Sequence, residues 1–240
     1  MNRAPTLLIV DDEADTCRNL ADIFSDLGYT VDTAYDGATA LAKLEHARFD
    51  VALLDLMMPD MDGVSLYQEI KRRHPETVAV LATAFPNHPR AEESRKSGMW
   101  QIVPKPVDLT HLLSLFDQAL RLPVVLLVDD DVDLCANLWD LLWERGFRVS
   151  IAHDIHSATE RLQDGGFQIV LIDMRLPDGD GTEVFRAVKQ VESQARTILM
   201  TGFQAEISRE RLQSAEADAI CYKPFNVPQF LTLVERLSRV

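Results

Sequence analysis

The chain has 240 residues, of which 47% are hydrophobic and 26% charged, values of a folded globular protein long enough for two domains of about 120 residues. Its net charge of −14 is evenly spread, with 12 basic and 19 acidic residues in residues 1–121 and again in 122–240, so a nucleic-acid backbone would be repelled along the whole length. Three scattered cysteines, Cys17, Cys135 and Cys221, exclude a disulfide framework and fit a reducing cytoplasm, while no apolar run approaches a membrane span or a targeting segment.

In chain order, the apolar runs at 6–10 (TLLIV), 29–33 (YTVDT), 49–54 (FDVALL), 77–82 (TVAVLA) and 100–103 (WQIV) read as strands. Between them, 13–27, 36–47, 63–73 and 108–120 carry helical spacing. In the last of these, Leu109, Leu112, Leu113 and Phe116 share a face and Asp108 suits the N-cap. The segment FPNHPRAEESRKSG, at 85–98, has almost no apolar residue after its prolines and reads either as a shortened, weakly packed polar helix or as a solvated loop. Strands alternating with helices imply an α/β fold with a parallel sheet covered on both faces.

The same order then recurs. Shifted by 118 residues and without a gap, Asp11 meets Asp129, Asp12 meets Asp130, Asp55 meets Asp173, Thr83 meets Thr201 and Lys105 meets Lys223. Cys17 and Cys135, Gly28 and Gly146, Pro59 and Pro177, and Gly63 and Gly181 also coincide, which is the signature of a duplicated domain. The join Arg121-Leu122-Pro123 is short, because Pro123 stops the last helix of copy one just before Val124 opens a strand. Domains of 1–121 and 122–240 follow.

Ligands of an open parallel sheet bind beyond the carboxyl ends of its strands. In copy one those ends carry Asp11 and Asp12, then Asp55, Thr83 and, after the fifth strand, Lys105. Three clustered carboxylates repel one another and resist ionisation unless a cation sits among them. An all-oxygen donor set favours Mg²⁺ over zinc. One carboxylate is then a candidate nucleophile toward phosphorus, with a hydroxyl and an ammonium of the types of Thr83 and Lys105 to share the charge of a phosphoryl group.

The ordered set of DD, LLDLMMPDMDG, a strand-ending Thr and KP resembles the receiver domain of two-component response regulators, and it covers essentially the whole chain, twice. The resemblance implies flavodoxin-like (βα)5 domains with strand order 2-1-3-4-5. It also implies phosphoacceptors at Asp55 and Asp173, with phosphoryl-binding roles for Thr83, Thr201, Lys105 and Lys223. Mg²⁺ would be held directly by Asp12 and Asp130, through water by Asp11 and Asp129, by the acceptors themselves, and by the backbone carbonyls of Met57 and Arg175. The bonds to Pro106 and Pro224 would be cis. Expected partners are a histidine kinase or a histidine phosphotransfer protein, and a downstream protein. The expected activity is limited to self-phosphorylation and self-dephosphorylation rather than that of a conventional enzyme. No segment is left for an attached output domain. One departure stands out: the aromatic residue that usually accompanies the switching threonine is replaced by Ile102 and Ile220.

Two other readings compete. A scaffold would keep only one working pocket. A phosphatase of the haloacid dehalogenase type would exploit the Asp-x-Asp within LLVDDDVDL, but it needs acids after its lysine, and beyond Lys223 only Glu235 is available. Copy-specific residues predict differences between the halves: Arg175 stands where Met57 does in copy one. Trp139 and Trp143, four apart on a helix, extend an apolar stripe toward copy one or a partner. Ile207, Leu212 and Ala215 would give copy two a better-packed fourth helix.

Overall fold

The computed structural model describes residues 3–96, 98–192, 194–202 and 217–239. The chain forms two compact units, Met1–Leu122 and Pro123–Val240. The division falls one residue beyond the expected one, because Leu122 still donates its N–H to Ala119 O and so completes the last helix of unit 1 before Pro123.

Unit 1 runs β1 (Thr6–Val10), α1 (Ala14–Asp26), β2 (Thr30–Ala34), α2 (Gly37–Leu44), β3 (Val51–Asp55), α3 (Gly63–Arg73), β4 (Val78–Thr83), α4 (Pro89–Lys96), β5 (Gln101–Pro104) and α5 (Leu109–Arg121). Its five strands are all parallel, in the order β2-β1-β3-β4-β5. The unbroken apolar run of β3 is explained by its central place, with all five residues buried under helices on both faces. On one face Leu8, Val10, Leu54 and Leu81 pack with Leu44, Tyr67 and Ile70. Phe24 of α1 and Phe116 of α5 are fully buried, with ring centroids 5.1 Å apart.

Unit 2 repeats the plan with β6 (Val124–Val128), α6 (Val132–Glu144), β7 (Arg148–Ala152), α7 (Ile155–Asp164), β8 (Ile169–Asp173), a short antiparallel pair β9 (Arg175–Leu176) and β10 (Gly179–Asp180), α8 (Thr182–Val191), β11 (Arg196–Thr201), β12 (Ala219–Tyr222) and a C-terminal helix α9 (Val227–Ser238). Its main sheet, β7-β6-β8-β11-β12, is also fully parallel. Ile207, Leu212 and Ala215 lie outside the described residues.

Side-chain oxygens cap most of the described helices, Asp108 among them as expected. Asp108 accepts N–H bonds from Thr110 and His111, and Asn226 accepts one from Gln229. The expectation for the tryptophans is corrected. Trp139 is 3% exposed and belongs to the core of unit 2, and Trp143 stacks on it at 5.0 Å between centroids while staying partly buried. A helical stripe wide enough to carry both rings can fold inward, and the gain from burying an indole decides that it does.

Of the two readings of 85–98 the helix is found: α4 has eight residues. Ala91 is its buried apolar anchor, and Arg90 adds a polar one by donating from Nε (2.8 Å) and Nη2 (2.5 Å) to Asp62 Oδ2. Such a helix is held as much by charge as by packing.

Two glycines fix where helix and strand meet behind the acid cluster. A Cβ on Gly63 would lie 2.2 Å from Asp55 O, and one on Gly181 would lie 2.1 Å from Asp173 O. Backbone cannot yield at such distances. Gly63→Ala or Gly181→Ala should therefore lose about 1–3 kcal/mol in urea unfolding. Gly202→Ala, where nothing lies within 4 Å, should leave the transition in place.

Candidate functional site

The parallel register delivers the polar residues to one end of each sheet. In unit 1, β1 ends at Val10 and is followed by Asp11 and Asp12, β3 ends at Asp55, and β4 ends at Thr83 beside Pro104 of β5. Lys105 follows, with its N–H donating to Thr83 O at 2.8 Å and a cis bond to Pro106. Its ammonium lies 2.6 Å from Asp11 Oδ2 and 3.0 Å from Asp55 Oδ1. Lys105 thus bridges two buried carboxylates.

Unit 2 reproduces this arrangement. Lys223 Nζ lies 2.5 Å from both Asp129 Oδ2 and Asp173 Oδ2, and its bond to Pro224 is cis. Thr201 ends β11 beside Tyr222, and Lys223 N–H donates to Thr201 O at 2.7 Å. Asp12 and Asp130 are exposed, yet each presents a carboxylate oxygen within 4.8 Å of those of its two buried neighbours. The threonines are buried, and Thr83 Oγ1 accepts the N–H of Phe85 at 3.0 Å.

Burial pushes the Asp55 carboxyl above its ordinary range, against the lowering pull of Lys105. Asp129 is raised for the same first reason. For the lysines, burial favours the neutral form but the carboxylate bonds outweigh it, so both ammonium groups are held above their ordinary value. Three oxygen donors of like charge, two of them out of water, fit a hard divalent cation such as Mg²⁺. They offer no nitrogen or sulfur ligand that would favour zinc.

Met57 and Arg175 sit two residues past Asp55 and Asp173, and both are exposed. Arg175 N–H donates to Asp173 Oδ1 at 2.9 Å, which ties the backbone at that position to the cluster. The structure adds residues that local sequence did not mark. Cys17 and Cys135 are fully buried, and each thiol donates to the carbonyl beneath the first acid, Asp11 O or Asp129 O, at 3.4 Å. Burial raises these thiols to about 11 and about 12, so they support the site as uncharged groups. Their coincidence at the 118-residue shift was the available signal. In unit 2, His153 Nδ1 also reaches Asp129 O at 2.9 Å, where unit 1 has the exposed Tyr35.

The loops after Asp55 and Asp173 are pinned differently. In unit 1, Asp62 caps α3 through Ser65 N–H at 2.7 Å and receives Arg90. In unit 2, the β9–β10 pair shapes the loop, and Asp178 accepts N–H bonds from Ile155 at 3.0 Å and His156 at 3.3 Å at the start of α7. No single stretch of sequence announces either contact.

Comparison with known proteins bears on this geometry. The family model of the response regulator receiver domain matches residues 7–117 and again 125–235. A response regulator receiver protein of Anaeromyxobacter sp. (strain Fw109-5) is 34% identical over 232 residues, which is 97% of this chain and 94% of that protein. The transcriptional regulatory protein ZraR of Salmonella typhimurium is 35% identical over 114 residues, which cover 48% of this chain but only 26% of ZraR. Among solved structures, the receiver domain of NtrX from Brucella abortus is 32% identical, with a TM-score of 0.45 over 48% of this chain and 97% of its own. With two matches that together span nearly all of its length, the chain belongs to the response regulator receiver family of two-component signalling and carries two receiver domains in tandem.

Proposed function

We propose that both units accept phosphoryl groups, at Asp55 and Asp173, from the phosphohistidine of a histidine kinase or a histidine phosphotransfer protein. The observation that carries this reading is the duplicated bridge, in which one lysine ammonium contacts the acceptor and the first acid in each unit. An isolated acidic patch would not need it. In the reaction a carboxylate oxygen of Asp55 attacks phosphorus, a P–O bond forms as the P–N bond breaks, and the electron pair leaves on the imidazole nitrogen. Lys105 lies within reach of the acceptor oxygen and shares the negative charge of the arriving group. Thr83, one residue beyond the partner of Asp55 in the sheet, offers a hydroxyl at the same strand ends.

The cation site would be built by Asp11, Asp12 and Asp55, with the Met57 carbonyl, and in unit 2 by Asp129, Asp130 and Asp173, with the Arg175 carbonyl. Bound Mg²⁺ would neutralise charge on the phosphoryl oxygens as they approach the acids. This chemistry makes the protein a phosphoacceptor with self-dephosphorylation and not a conventional enzyme. Output is a changed surface for a downstream partner or storage of phosphoryl groups. The reading places the protein in the cytoplasm, supported by three free cysteines; among the described residues no helix is long and apolar enough to cross a membrane.

Incubation with Mg²⁺ and a small phosphodonor should add two phosphoryl groups by intact mass. Asp55→Asn and Asp173→Asn should each take up one, and the double variant none. No uptake by the wild type, with a cognate phosphotransfer protein also tried, would defeat the proposal. A chelator should abolish uptake at both sites. The two aspartyl phosphates should hydrolyse at rates differing by about threefold or more, the order expected of one partly exposed charge such as Arg175 in place of Met57. Equal lifetimes in the two single variants would remove Arg175 from the account.

A further inference from the structure

The aromatic position that usually accompanies the switching threonine holds Ile102 in unit 1, a partly buried residue packed into the core. A different connection from acceptor to surface is visible. Asp55 O lies 2.2 Å from the position of a Gly63 Cβ, and Gly63 N–H donates to Leu56 O at 3.1 Å, so the start of α3 rests directly on the backbone of the acceptor. Asp62, the residue before Gly63, caps that helix and takes both Nε and Nη2 of Arg90 on Oδ2. Arg90 Nη2 also reaches Ser65 Oγ at 3.1 Å, and Nη1 reaches Glu93 at 2.9 Å. The other end of the β4–α4 loop is tied to the site as well, through Phe85 N–H and Thr83 Oγ1. The entry of α4 is thus held at two points, each adjacent to the reacting groups.

We infer that Arg90 is the positioning residue through which the state of Asp55 is passed to α4 in unit 1, a role that rests on the phosphoacceptor reading above. Because these bonds depend on distance and alignment, a shift of Asp62 with the backbone of Asp55 weakens them. An α4 whose only buried apolar anchor among the described residues is the small side chain of Ala91 then loosens, because it has little further apolar surface to hold it. Among the described residues this clasp is seen in unit 1; Ser208, the match of Arg90 in unit 2, lies outside them, and Asp180, the match of Asp62, accepts the N–H of Thr182. In unit 2 the acceptor loop is instead pinned to α7 by Asp178.

Hydrogen exchange of the α4 amides, read on the full chain before and after phosphorylation at Asp55 in an Asp173→Asn background, tests this. In the wild-type clasp, exchange of 89–96 should rise about five- to tenfold on phosphorylation, the range for losing a partly exposed charge-assisted bond. Arg90→Met should show the raised rate already before phosphorylation and no further rise, while taking up phosphate as fully as the parent. Arg90→Lys, which keeps one charged contact, should restore part of the response and guards against simple loss of the helix. Phosphate uptake with the same α4 response in parent and Arg90→Met would overturn the inference alone. No uptake in the parent would overturn the phosphoacceptor reading and this coupling together.

Discussion

Each unit is arranged around two carboxylates taken out of water and set against one shared ammonium. Asp11 and Asp55 are 4% and 7% exposed, and Asp129 and Asp173 are 0% and 8% exposed. Charges so placed are stable only if something of opposite sign is always near, and Lys105 and Lys223 supply it from the far edge of the sheet. The lysine cannot reach across unless the last strand ends level with the first and third. The parallel register, the N–H bond to the threonine carbonyl and the cis proline after the lysine all serve that alignment. The fold thus sets the charge balance of the cluster before anything enters it.

Beneath the shared frame, the two units differ where the loop after Asp55 or Asp173 meets its surroundings. Unit 1 ties the loop to α4 through Asp62 and Arg90. Unit 2 forms a two-stranded pair and docks Asp178 on the open amides of α7. The carbonyl under the first acid is likewise held by a thiol alone in unit 1's pair Cys17–Asp11, and in unit 2 by both Cys135 and His153. The repeat keeps the residues that touch the charge cluster, while the described contacts of the loops around it differ between the units.

Sequence alone determined the strands, the order of most helices, the duplication and the identity of the clustered acids, threonines and lysines. The reason is physical: a buried parallel strand must be an apolar run, an amphipathic helix must repeat every three to four residues, and a charge at the end of such a run has few structural excuses. The burial of Trp139 was not legible, because helical spacing gives the width of an apolar stripe but not which neighbour covers it. Neither was the Asp62–Arg90 contact, since an ion pair between residues 28 apart depends on where α3 and α4 come to lie. The close approach of Gly63 to Asp55 O belongs to the same class: a glycine reads as a turn until the backbone opposite it is known. Periodicity and composition act along the chain, so the sequence carries them by itself; partner choice acts across space, and only the tertiary structure decides it.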